Sequence, residues 1–294
     1  MSDFGALKQG DAPYTTVDPA KHRNLKIVNC VCFVICMAFN GFAQKLAAKS
    51  LAEQTDYWNV ANAPAGYAFS IWGVIYTLLA FFTVYQALPE KWAETRNNDL
   101  IVNKIGWVYA MNLMGNALWL VVFGQDAAWA FGLSLVVILG MLASQVYIMR
   151  CATRSKVNTW EFITLRCGFT IYTGWVTAAT ILNTTFFLKS LGMRDDGAGL
   201  AEDTWCVVIL WIALCVYVLA SFMERNPLYA AVYIWVLVAI RKNHDDPEDA
   251  LKYSGKVVDQ SLIIVIIHSV YVALLTGFCF YEKNKEKCNL GLLY

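Results

Sequence analysis

The feature that most constrains this chain is a succession of long apolar stretches, each close to what a helix needs to cross a bilayer. About 20 mostly apolar residues cover a hydrocarbon core of about 30 Å. Windows of that kind lie at 27–44, 66–87, 105–124, 128–149, 162–188, 204–223 and 260–281. An eighth, NPLYAAVYIWVLVAI at 226–240, is shorter and is bounded by Glu224-Arg225 and Arg241-Lys242. The runs are continuous, whereas barrel strands would alternate over about ten residues, so helices are expected. Of the 294 residues, 58% are hydrophobic and 15% charged. Soluble domains run at about 45–50% apolar and about 25% charged. Such a chain cannot present a wet exterior. It reads as an all-α, polytopic transmembrane helix bundle, an integral multi-pass membrane protein whose first partner is the lipid bilayer. Lys and Arg number 23 against 22 Asp and Glu, so there is no electrostatic case for nucleic acid.

Residues 1–26 form a polar leader and 282–294 a polar tail, with 27–188 and 189–281 holding the apolar windows between them. The leader lacks the apolar run of a secretory signal, and no cleavage is expected. Counting Lys and Arg outside eight spans places fourteen on the side of the amino terminus and eight opposite. The positive-inside rule then sets both termini on the cytosol-like face. The longest connection, 45–65, is expected to cover one mouth of the bundle, since a helix–helix turn needs fewer residues. Only Gln125-Asp126-Ala127 joins the third and fourth spans, which predicts an antiparallel hairpin.

No catalytic constellation is visible. The three histidines are His22 in the leader, His244 in a loop and His268 inside the last span. His244-Asp245-Asp246-Pro247-Glu248-Asp249 has metal-ligand types, but reads better as a helix start with Asp246 as N-cap and Pro247 at the first helical position. His268, without an acidic partner in its own span, is expected to make an interhelical hydrogen bond. Arg166, about one turn inside the fifth span, is expected to snorkel. Cys30, Cys32 and Cys36 share one apolar run without a nearby histidine and read as packing residues. Trp107, Trp129, Trp160 and Trp205 fall near span ends, as interfacial anchors do.

Deeper polar and aromatic residues form stripes. Trp72 and Tyr76 are i, i+4 neighbours in the second span; Asn112, Asn116 and Trp119 share a face of the third; Tyr172, Trp175, Ala179 and Asn183 follow helical spacing in the fifth. Amides and indole N–H groups in lipid need partners, so the stripes should face the interior. From spacing alone they are either glue between helices or the lining of a cavity for a flat apolar ligand.

Three of these segments, APAGYAFSIWGVIY (63–76), NALW (116–119) and GWVTAATILN (174–183), together resemble the tryptophan-rich sensory protein, or translocator protein, family. The resemblance covers roughly 27–188, and the tail is similar to longer, bacterial-type members. No double proline precedes Gly66, Ser70 stands where a second proline is common, and three extra spans follow. What the resemblance implies is a five-helix core whose cavity binds porphyrins, sterols or benzodiazepine-like compounds, often as a homodimer. It implies Trp72, Tyr76, Asn116, Trp119, Trp175, Ala179 and Asn183 as cavity-lining residues; from the residues themselves no metal and no resident cofactor are expected. The expectation is a non-enzymatic sensor, carrier or scavenger of a tetrapyrrole or sterol, in a mitochondrial or other internal membrane with the organelle left open. The alternative is a structural subunit of a larger, perhaps energy-transducing, membrane assembly; a secondary transporter ranks last, for want of an internal repeat.

Overall fold

A computed structural model describes residues 19–49, 51–58, 60–193, 199–246 and 254–291. Among them the regular structure is entirely helical and no strand forms. Helix α1 is Pro19–Leu46, α2 is Leu51–Trp58, α3 is Ile71–Ala87, α4 is Val108–Phe123 and α5 is Ala128–Thr153. The last four are α6 (Gly168–Ser190), α7 (Glu202–Glu224), α8 (Pro227–Asn243) and α9 (Gly255–Gly291). Every apolar window falls on a helix. The helices outrun the windows at both ends of the chain: α1 starts within the polar leader and α9 runs on into the polar tail. Pro247–Asp249 and the helix start expected there lie outside the described residues.

Packing assigns α6 the centre of the molecule. It touches α3, α5, α7 and α8, and its buried residues run from Gly168 to Lys189 on several faces. A helix shielded by protein need not be as apolar as one facing lipid. Accordingly α6 carries Thr173, Thr177, Thr180, Thr184 and Thr185, each donating its hydroxyl to the carbonyl four residues back. That self-satisfaction removes the cost of burying a hydroxyl.

The same shielding explains a difference from the eight expected spans. Five helical segments are long and apolar enough to cross a membrane: Lys21–Phe42, Gly66–Ala87, Ala128–Thr153, Glu202–Glu224 and Gly255–Lys285. A sixth arises if Asp99–Ile105 and Val108–Phe123, bent by 63°, count as one span. Helices α6 and α8, expected as spans, are not among them. The first is diluted by threonines and the second is only 17 residues long, about 25 Å at 1.5 Å per residue. Both are interior helices. The bend in the third window falls at Gly106, whose φ of 51° a side chain would resist.

Helices α7, α8 and α9 form a second layer against the first five spans. At the junction, α6 and α8 approach so closely that a Cβ on Gly174 would lie 2.9 Å from the Val232 side chain. Asn226 caps α8 by accepting from the Tyr229 N–H, with Pro227 at the first helical position where its missing N–H costs nothing. The Asn226 amide also donates to Thr170 at 3.0 Å, and the Tyr229 and Thr177 hydroxyls pair at 3.0 Å. His268, fully buried, reaches the Ala230 carbonyl at 2.9 Å through Nε2, the interhelical bond expected of it. Arg166 reaches from inside its window to the end of α5 and the loop beyond it, donating to the carbonyls of Ala152, Thr153 and Ser155.

Candidate functional site

Between the two layers lies a cavity of about 530 Å³. Its aromatic wall comes from Phe69 and Trp72 on the α3 side, Trp119 and Phe123 on α4, and Trp175 on α6. Trp72 and Trp175 stand edge to face with centroids 6.4 Å apart, and Phe69 meets Trp175 in the same way at 5.5 Å. Ala178 and Ala179 leave the α6 side low. The opposite wall belongs to the second layer, with Leu210, Ala213 and Tyr217 from α7 and Tyr233, Val236 and Ile240 from α8. Tyr217 and Tyr233 stack at 4.5 Å. Their hydroxyls are spent on the Gly174 and Leu210 carbonyls, so the faces they offer are apolar.

Of the seven residues implied by resemblance, Trp72, Trp119, Trp175, Ala179 and Asn183 line this cavity. Asn183 holds Trp119 in place: its Oδ1 accepts from the Trp119 indole at 2.9 Å, and its amide donates to Ser134 at 3.0 Å. Tyr76 and Asn116 lie behind the wall instead. Asn116 Oδ1 accepts from Asn40 at 3.0 Å, Tyr76 at 3.2 Å and the Cys36 thiol at 3.3 Å, while its amide donates to Tyr172 at 3.2 Å. Tyr76 also donates to Asn40 at 2.6 Å and stacks under Trp72. This closed network ties α1, α3, α4 and α6 together and supports the floor. Asn112 is likewise occupied with α5, donating to Ser144 and the Met141 carbonyl.

The connection 45–65 and the turn after it form the roof, contributing Lys49, Gln54, Asn62 and Pro64 to the lining. Its fastenings are non-local. Trp58 Nε1 donates to Asp126 at 2.7 Å, the Lys49 ammonium meets Asp126 at 2.6 Å, and the Ala48 N–H donates to Gly124. At its other end the Ala61 N–H donates to Glu202, Ala65 to Ala239, and Asn243 to the Ala63 carbonyl. His244 Nε2 is paired with the Ala61 carbonyl at 2.7 Å. No group of three or more His, Cys, Asp or Glu able to hold a metal occurs among the described residues.

Sequence reasoning missed the α7–α8 wall. Tyr217 and Tyr233 were the available signal, since hydroxyls in otherwise apolar spans must point inward. One wall donor is unspent: Trp175 Nε1 is buried and has no partner among the described residues.

Fold and cavity together define a multi-pass helical membrane protein with an aromatic-walled site between its two helix layers. A model of the family described as TSPO-like protein matches residues 26–279, and the chain belongs to that family. The match runs through α7, α8 and most of α9, so the second layer is part of the family pattern in this longer variant. No curated protein and no solved structure matches the chain.

Proposed function

We propose that this protein binds a flat hydrophobic molecule, a tetrapyrrole or a sterol, in the cavity between the two layers, as a sensor, carrier or scavenger. The observation that carries the reading is a cavity of about 530 Å³ walled by three tryptophans and, on α6, by the small residues Ala178 and Ala179. Small-molecule sites are typically about 300–1,000 Å³ and mostly apolar, with a few polar groups that orient the ligand. The unspent Trp175 donor suits a ligand carbonyl or carboxylate, because a buried N–H without an acceptor costs about 1–3 kcal/mol. No turnover is proposed.

Tryptophan-fluorescence quenching of the purified protein by protoporphyrin IX and by cholesterol tests the reading. Saturable quenching is expected from one of them. Ala179→Leu fills open space beside Trp175 and should abolish quenching at unchanged Tm, because a void absorbs volume without strain. In a closed interior the same change costs about 1–3 kcal/mol of overpacking. A lowered Tm for Ala179→Leu, from a wild type that no compound quenches, would replace this reading with the structural-subunit one. Trp175→Phe keeps most of the ring and removes the indole N–H, so quenching should weaken without vanishing.

A further inference from the structure

A second groove lies on the outer surface where the two layers fail to close. Its volume is about 340 Å³, and it is bounded by Val146 and Met149 on α5, by Val216, Leu219, Ala220 and Met223 on α7, and by Tyr229 at its floor. The walls are apolar and open to the lipid side: Leu219 is 63% and Met223 72% exposed. Along α7 the groove extends from Val216 to Glu224, about 12 Å at 1.5 Å per residue.

Its end is polar. Arg150 Nε donates to Glu224 at 2.6 Å, the link that closes the groove across the seam. The terminal nitrogens of Arg150 have no partner among the described residues. Arg154, one turn further along, is 72% exposed and comes no nearer than 3.9 Å to Glu224. Arg225 is engaged by Glu282 at 2.6 Å. The segments that meet here carry Arg150, Arg154, Lys156, Arg225, Lys283 and Lys285 against two carboxylates, Glu224 and Glu282. An apolar slot in the lipid-facing surface thus ends in unspent guanidinium donors within an excess of positive charge.

We infer that this seam is a binding site for an anionic phospholipid, one acyl chain lying between α5 and α7 and the phosphate held by Arg150 and Arg154. The chemistry is complementary at both ends, since guanidinium forks match phosphate oxygens and basic pockets between transmembrane helices suit anionic headgroups. A second copy of this chain would need a carboxylate-rich surface to meet the same excess. The lipid would fill the gap that direct helix contact leaves, and so brace the second layer against the first.

The experiment is thermal unfolding of the full chain in neutral detergent, titrated with dioleoylphosphatidylglycerol, dioleoylphosphatidylcholine or inorganic phosphate, with native mass spectrometry to count bound lipid. The phosphatidylglycerol arm is expected to raise Tm and leave one lipid bound; the other two arms should not. Arg154→Gln, which breaks no close ion pair, should weaken this effect about tenfold, equivalent to about 1.4 kcal/mol. Ala220→Phe, which fills the slot, should abolish the effect while quenching in the interior cavity persists. Equal stabilisation by phosphatidylcholine, an equal effect of free phosphate, or a phosphatidylglycerol response untouched by both variants would each overturn the assignment. So would a disulfide-linked dimer formed by Ala220→Cys in place of lipid binding.

Discussion

Asn116 shows what one amide does at membrane depth. Its oxygen serves three donors from two helices, Cys36, Asn40 and Tyr76. Asn116→Leu should lower stability by about 1–3 kcal/mol, the cost of stranding buried donors, and thermal unfolding would show it. Ligand quenching should survive, because Asn116 lies outside the cavity wall. A second residue-scale prediction concerns Glu90, in the connection after α3. Partial burial raises its pKa, but the Asn98 amide and the charges of Arg96, Lys26 and His22 outweigh that and hold it below its usual 4.5. A depressed folded-state pKa contributes stability above the ordinary value, and that contribution is lost as pH falls through the lowered one. Unfolding midpoints measured from pH 6 to 3 should therefore drop for wild type and less for Glu90→Gln. At this scale the sequence was partly legible. The stripe positions follow from helical spacing, and His268 could be assigned an interhelical bond because a lone imidazole in lipid needs one. For Arg166 the distance from the span end was visible, but the open carbonyls of α5 that receive it are a tertiary fact.

Among the elements, the roof is the one whose role extends furthest beyond its sequence. Its length was enough to expect a cover over one mouth. That it contains α2, and that Asp126 in the α4–α5 turn anchors it, depends on contacts far apart in sequence. Asp126 sits at a positive φ of 51°, a conformation that aspartate and asparagine tolerate better than most residues with a side chain. Asp126→Ala removes the partner of both Lys49 and Trp58. It should speed ligand entry and exit alike in stopped-flow quenching, leaving equilibrium affinity changed less than either rate. Unchanged rates would mean that ligands enter elsewhere. Helix α6 shows the reverse situation: the sequence reveals it as the apolar window 162–188, but its threonines leave it outside the five helices apolar enough to cross on composition, and say nothing of its central place. The hydroxyls are satisfied within the helix, and no window average records that.

For the whole molecule, the number of crossings decides on which faces the termini lie. If α6 and α8 cross as interior spans, there are eight crossings and both termini share the face richer in Lys and Arg. Protease protection of tags at the two ends should find them equally accessible from one side. Tags on opposite sides would remove α8 from the count. Class and family pattern were legible because lipid imposes length and apolarity on every span, and because the stripes recur in a fixed order. The two-layer arrangement was not, since nothing in a row of apolar windows says which face meets which. One contact between the layers has a consequence of its own. Gly174 and Val232 meet almost backbone to side chain, and the residues that follow them, Trp175 and Tyr233, stand on opposite walls of the cavity. The gap between those rings is thus gauged by the absence of one methyl group next door. Selection for a thicker ligand could act by placing an alanine at 174, widening the slot like a shim while every ring in it stays the same.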